Sequence, residues 1–391
     1  MKVITVYVNP EHISLVLGGG GIKGIAYLGV FEMIREYRCV VDNIAGVSAG
    51  ALAGSFAAAG YKPDELKKIL YEFDFSKIDY DRLHKILPVI QEYIEFAEGK
   101  RSSDIFSIYQ FLGNDYLLKE GSKHAFKAED FRSENSDEDE ECIDERRGNF
   151  LKNIIKLSQK GSLFDGDYLE EWVSRTLAAR GIYTFADLKG GIKNKENPQG
   201  YKIRMTAVDA NRARILVLPD DIEYYGINPD NLEVAKAVRM STCVPFAFKP
   251  VQIKKKKDNV TTVYNIFDGG LLDGFPSWII GDAVNSTNIG FKLNGDNKNK
   301  IFTLSTSLDI LKALISAVHD TGVPKKKKQP DYLGIIKTYN ISFLDFNISI
   351  NDKRLLCNQG RVEARRVLEK ALKMSSLSRA LKRNIVRKIQ H

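Results

Sequence analysis

Apolar residues in this chain recur in two periods, and the alternation between them sets the first expectations. Residues 13–17 form a short apolar run that ends at glycines, as a buried parallel strand does. Residues 22–37 carry apolar positions at helical spacing. A second strand is expected at 40–47, followed by a small, alanine-rich helix at 49–59. Pro63 and Asp64 open another helix. Further on, 164–179 reads as an amphipathic helix that Asp165 or Asp167 could cap. Strands are expected at 201–208, 214–218 and 260–267, and a helix at 232–240. Strands that alternate with helices predict an α/β protein around a mainly parallel sheet. Residues 2–8 alternate and are β-branched, which suits an added edge strand.

Between these segments the texture changes. Residues 74–118 are rich in Phe, Tyr, Ile and Leu. They read as helices of an insertion, core in character, with a lipid-facing cap as the alternative. Residues 128–147 are strongly acidic with few large apolar residues, which predicts a solvated loop. The run DEDEE lacks the spacing of a calcium loop, so no metal site is expected there. Beyond residue 281 helices are expected at 308–318, 333–340 and 363–373. The lysine runs 254–257 and 325–328 are expected in loops. The organisation expected is therefore a main domain at 13–281, with 74–160 inserted into it, and a helical extension at 282–391.

Composition narrows the class. The 391 residues are 43% hydrophobic and 28% charged with a net charge of +8, ordinary for a soluble globular protein and mildly basic. The four cysteines are widely spaced, with no C-x-x-C pair, so neither a zinc site nor a disulfide framework is indicated. No run of 18 apolar residues suggests a membrane span. The first residues are broken by Asn9, Pro10, Glu11 and His12, unlike a signal peptide. A cytoplasmic location is expected, with peripheral contact at an anionic membrane left open. No cofactor and no nucleic-acid partner are expected.

The candidate chemistry lies in two glycine motifs at strand-to-helix turns. The first is Gly19, Gly20, Gly21, Ile22, Lys23, Gly24. The second is Gly46, Val47, Ser48, Ala49, Gly50, a G-x-S-x-G turn of the kind that presents a serine hydroxyl on a sharp bend. Backbone N–H groups of a glycine loop at a helix start suit a developing oxyanion. Together they suggest acyl transfer. Dinucleotide binding is the poorer reading, because Asp42 precedes the second strand and Ser48 stands where it ends. A phosphate-binding P-loop fails because Ile25, not Lys, follows the last glycine.

These motifs, with Asp268, Gly269 and Gly270 downstream and the block AVRMSTCVPFAFKPV ahead of them, resemble the patatin-like phospholipase family. GSLFDGDYLEEWVSRTLAARGIYTFADL, residues 161–188, is similar to it as well. The resemblance covers roughly residues 13–281. It implies a three-layer α/β/α fold with a mainly parallel central sheet. It also implies a serine hydrolase acting on phospholipid or another acyl lipid, without metal or cofactor. Carried over, Ser48 is the nucleophile and Asp268 the proton acceptor of a dyad. Gly19, Gly20 and Gly21 form the oxyanion hole, and Lys23 takes the loop's basic position. Gly18 stands where some members carry an acid. Two rivals remain beside this reading. One is a Ser-Asp-His triad through His319, in the chain order of α/β-hydrolases. The other is an inactive lipid-binding protein of the same fold. The tail at 376–391 has leucines and isoleucines at four-residue spacing among Arg and Lys. That is the pattern of a helix docked on its own domain, or of one lying in an anionic interface.

Overall fold

The computed structural model describes residues 11–73, 166–245, 247–258, 260–281, 286–294, 329–339, 341 and 348–389. The strand expected at 2–8, the insertion at 74–160, the helix at 308–318 with His319, and the lysine run 325–328 lie outside the described residues.

A mixed, mostly parallel sheet of eight strands forms the centre. Its strands are β1 (His12–Leu17), β2 (Val40–Val47), β3 (Ile203–Asp209), β4 (Arg214–Leu218), β5 (Val251–Lys257), β6 (Val260–Asp268), β7 (Thr287–Asn294) and β8 (Tyr332–Lys337). The hydrogen-bonded path runs β5-β6-β3-β2-β1-β7-β8, with β4 paired to β3. The β1, β2, β3, β7 and β8 pairings within this path are parallel, while β4, β5 and β6 pair antiparallel. Each strand faces alternate ways. Ile13, Leu15, Leu17 and Ile44 join the larger core under the helices, while Val16 and Ala45 pack on Phe275, Ile279 and Ile280 on the opposite face.

Among the described residues the α-helices are α1 (Ala26–Glu36), α2 (Ala49–Ala58), α3 (Pro63–Glu72), α4 (Gly166–Ala178), α5 (Val234–Ser241) and α6 (Ile350–Ile389). Pro63 sits in the first turn of α3, where its missing N–H costs nothing, and Glu65 accepts from the Lys62 amide at 2.8 Å. Helix α6 packs on α1 and β8. Their seam is built from glycine: a Cβ on Gly29 would lie 2.0 Å from the Cys357 carbonyl oxygen, and one on Gly360 1.9 Å from that of Ala26. Leu356, Ala364, Val367 and Leu368 of α6 are buried in the core.

Two sequence expectations are corrected. Residues 333–340 were expected to be helical, but 332–337 are strand β8 at the edge of the sheet, hydrogen-bonded in register from Ile289↔Tyr332 to Asn294↔Lys337. The region after 281 therefore contributes strands as well as the C-terminal helix. Lysines 254–257 were expected in a loop, but they belong to β5, paired from Val251↔Ile266 to Lys257↔Val260. Both are outer strands, where charged and half-exposed side chains obscure the apolar alternation.

The register around β3 positions the site. Ile203–Thr206 pairs with β2 as far as Val47↔Thr206. The next residue, Ala207, pairs with Asp268 of β6, which runs the opposite way. Strand β4 spans Met205 to Asp209 on the other edge. Strands β2 and β6 thus share one edge of β3 and meet end to end, which brings the residue after Val47 against Asp268.

Candidate active site

Ser48 sits at this junction, between β2 and α2, with φ 53° and ψ −120°. A non-glycine residue at positive φ is strained and persists only where its surroundings fix it. Here they do. The Ser48 amide donates to Ser241 Oγ at 3.0 Å, and the Ser241 hydroxyl donates to the Thr206 carbonyl at 2.7 Å. The Ser48 carbonyl accepts from Leu52 at 3.0 Å in the first turn of α2. Gly46 and Gly50 leave room for that turn: a Cβ on Gly50 would lie 2.1 Å from the Leu17 carbonyl oxygen.

Asp268 ends β6 and is buried, 4% exposed. Its carboxylate accepts from the Gly270 amide at 2.7 Å and lies beside Ser48 at the β2–β6 junction. Its own amide donates to the Cys243 carbonyl at 2.8 Å. Gly269 lets the chain turn here against β3, since a Cβ would fall 2.5 Å from both oxygens of Thr206. Burial pushes the Asp268 carboxyl up to about 7, against the pull of Ser48 and of the Gly270 amide. A buried carboxylate near neutrality beside a serine can take the proton of its hydroxyl.

The glycine loop leaves β1 beside Ser48. A Cβ on Gly19 would stand 3.4 Å from Ser48 Cβ. Gly21 has φ 55°, in the left-handed region that favours glycine. The Gly18 amide donates to the Phe291 carbonyl at 3.1 Å and the Gly19 amide to Gly274 at 3.0 Å. Tyr27 Oη donates to the Gly18 carbonyl at 2.7 Å. These bonds tie the loop to β7 and to the segment after Asp268. Among the described residues the Gly20 and Gly21 amides meet no protein acceptor. Lys23 is buried within the loop. Gly24 lies close against Ala49, where a Cβ would come within 2.7 Å of the alanine Cβ.

Every site residue expected from sequence within the described segments thus gathers at the C-terminal ends of β1 and β2, where ligands of open α/β sheets bind. His12, the described histidine, pairs with Asp42 at 2.8 Å at the other end of β1. The sequence reading missed Ser241 as a support of Ser48. Its only sequence signal is membership of the serine- and proline-containing block. Among the described residues no cluster of His, Cys, Asp or Glu could hold a metal ion, and no helix is long and apolar enough to cross a membrane.

Residues 15–279 match the model of the patatin-like phospholipase family. The chain belongs to that family. A relative in Bacillus subtilis, the uncharacterized protein YqhO, is 30% identical over 268 residues, which are 68% of this chain and 66% of YqhO. The lysophospholipase NTE1 of Saccharomyces cerevisiae is 49% identical over 51 residues, 13% of this chain and 3% of that protein. The chain thus spans less than two thirds of the relatives it matches. Among solved structures, VipD of Legionella pneumophila aligns with 92% of this chain and 67% of its own at 16% identity and a TM-score of 0.43.

Proposed function

We propose that this protein is a lipid acyl hydrolase, a serine enzyme of phospholipase A or esterase type that works through an acyl-enzyme on Ser48. The observation that carries the reading is the end-to-end meeting of β2 and β6 along β3, which sets Ser48 against the buried Asp268 carboxylate.

A serine hydroxyl attacks only when a base takes its proton. In this reading Asp268 is that base. As Ser48 Oγ bonds to the ester carbonyl carbon, its proton passes to Asp268. The carbonyl oxygen becomes an oxyanion and accepts from the Gly20 and Gly21 amides. Gly19 serves by its lack of a side chain beside Ser48, since its amide is spent on Gly274. Collapse breaks the ester C–O bond, and the departing alkoxide takes the proton from Asp268. Water then attacks the acyl-enzyme, giving its proton to Asp268, and that proton returns to Ser48 as the fatty acid leaves. The strained backbone at Ser48 and its hold on Ser241 fix the attacking oxygen throughout, which is where positioning contributes to rate. Lys23 fixes the loop. The substrate is phospholipid or another acyl lipid, so the enzyme works at a bilayer approached from water.

A panel of lipid classes with the wild type and Ser48→Ala tests this. Fatty acid released from one or more classes by the wild type, and abolished in the folded variant, is expected. Hydrolysis that survives Ser48→Ala overturns the assignment.

A further inference from the structure

The antiparallel pair β5–β6 extends past the end of β3. The last β3 partner of β6 is Asp209, opposite Ile266, and β6 continues outward to Val260 while β5 remains paired with it to Lys257. At about 3.4 Å per residue this makes an arm roughly 20 Å long. It rises from the same end of the sheet as Ser48, with Asp268 at its foot.

Residues paired across the arm share a face. One face carries Lys254 with Val263 and Lys256 with Thr261. Lys254, Lys256 and Thr261 are exposed and Val263 is half-buried. Val260 at the tip is 64% exposed. The other face is anchored: Ile253 is buried, and Lys255 Nζ lies 3.7 Å from the Tyr224 ring centroid, with Arg212 Cζ at 3.6 Å from the same ring. The Tyr224, Tyr225 and Tyr264 rings pack edge to face beneath it, and Tyr225 Oη donates to buried Asp209 at 2.6 Å. The arm is thus braced on one side and basic on the other.

We infer that the open face and tip of this arm are the surface by which the enzyme seats on an anionic bilayer, with Lys254 and Lys256 meeting lipid phosphates and carboxylates. This rests on the proposed action on lipid. Charge complementarity selects the partner, and position supports it: the arm projects from the end of the sheet at which a lipid must enter. Lysines on an outer strand also protect its edge from pairing with other strands. That role needs no particular direction of the arm, whereas membrane seating requires it to project beside the site.

The test is co-sedimentation with vesicles of phosphatidylcholine, with and without phosphatidylserine, at low and high salt. The protein pair is Lys254→Gln/Lys256→Gln, against Lys193→Gln/Lys195→Gln. The latter removes the same charge from exposed positions that lead into the start of β3, at the opposite end of the sheet. Each lysine at an anionic surface is worth about fivefold in binding, hence on the order of 25-fold for the pair. The arm variant is expected to lose that much on phosphatidylserine vesicles and to turn over a soluble ester like the wild type, which also reports its fold. The control variant is expected to bind vesicles like the wild type. Equal binding by the arm variant and the control, or binding of short duplex DNA through the arm with none to vesicles, overturns the inference. Arm-dependent vesicle binding by a protein that hydrolyses no ester leaves the surface standing and removes the reading beneath it.

Discussion

Asp268 is held in a conflict that gives the site its pH dependence. The proposed role as a base needs the ionised form, while burial favours the neutral one. Turnover is therefore expected to rise with pH to a plateau above about 7, which a pH–rate profile on a soluble ester reads directly. Stability runs the other way. The folded state holds this proton up to about 7, and the unfolded chain releases it near 4, so the group's contribution falls as pH climbs between those values. Asp268→Asn should thus be inactive yet more stable than the wild type at pH 8, by up to about 4 kcal/mol, about three pKa units at about 1.4 kcal/mol each. A calorimetric Tm at pH 8 that falls instead would remove burial as the dominant force on this carboxyl. Ser241 is the second informative residue. Ser241→Ala leaves the Ser48 amide without its acceptor and the Thr206 carbonyl without its donor. Unmet buried groups of this kind cost about 1–3 kcal/mol. If they hold the attacking oxygen, kcat drops roughly tenfold or more with KM nearly unchanged, and Ser241→Thr recovers most of it. A loss confined to Tm would make Ser241 structural only.

The glycines separate two kinds of requirement in the elements around the site. A methyl group on Gly50 meets backbone, the Leu17 and Gly18 carbonyl oxygens, which have nowhere to move. Gly50→Ala is expected to push α2 off β1 and to lose soluble folded protein. A methyl group on Gly20 meets the end of the Leu293 side chain at 2.7 Å, which can turn aside. Gly20→Ala should keep a Tm within a few degrees of the wild type and lower kcat by about tenfold to a hundredfold, the usual range for a disturbed oxyanion donor. A change confined to KM would argue against that role. The contrast also shows what the sequence made legible. The central strands β1, β2 and β3 stand out because short runs of apolar residues, such as 15–17 and 44–47, are buried on both faces. The motif residues stand out because few backbone bends demand glycine, serine and glycine in that order. The outer strands did not: β5 reads VQIKKKK and β8 YLGIIK, and an edge strand tolerates charge on a face that water wets. Ser241 was hidden for another reason. A single hydroxyl that supports a backbone amide 193 residues away leaves no periodic trace.

Across the whole molecule, the C-terminal helix is a structural member of the main core. Leu356, Cys357, Ala364, Val367, Leu368 and Ala371 are buried against α1 and the sheet. At about 1.5–3 kcal/mol for each larger apolar side chain, their burial rivals the 5–15 kcal/mol that holds a whole domain together. Deleting residues 350–391 is therefore expected to unfold the protein, with loss of the cooperative thermal transition. A truncated chain that keeps that transition and its esterase activity would show the helix to be an appendage.

The sheet register also has a consequence in time. Strand β1 lies between β2 and β7, and the glycine loop is fastened by the carbonyls of Gly274 and Phe291. A chain emerging from the ribosome presents Ser48 long before it presents Asp268 or either fastening. At roughly 5–20 residues per second the interval is tens of seconds. During it β1 has one open edge and the loop lacks both of these fastenings. Contacts so far apart in sequence also close slowly. If Ser48 and Asp268 act together as proposed, the nascent chain is inert until synthesis has brought β6 and β7 into the sheet.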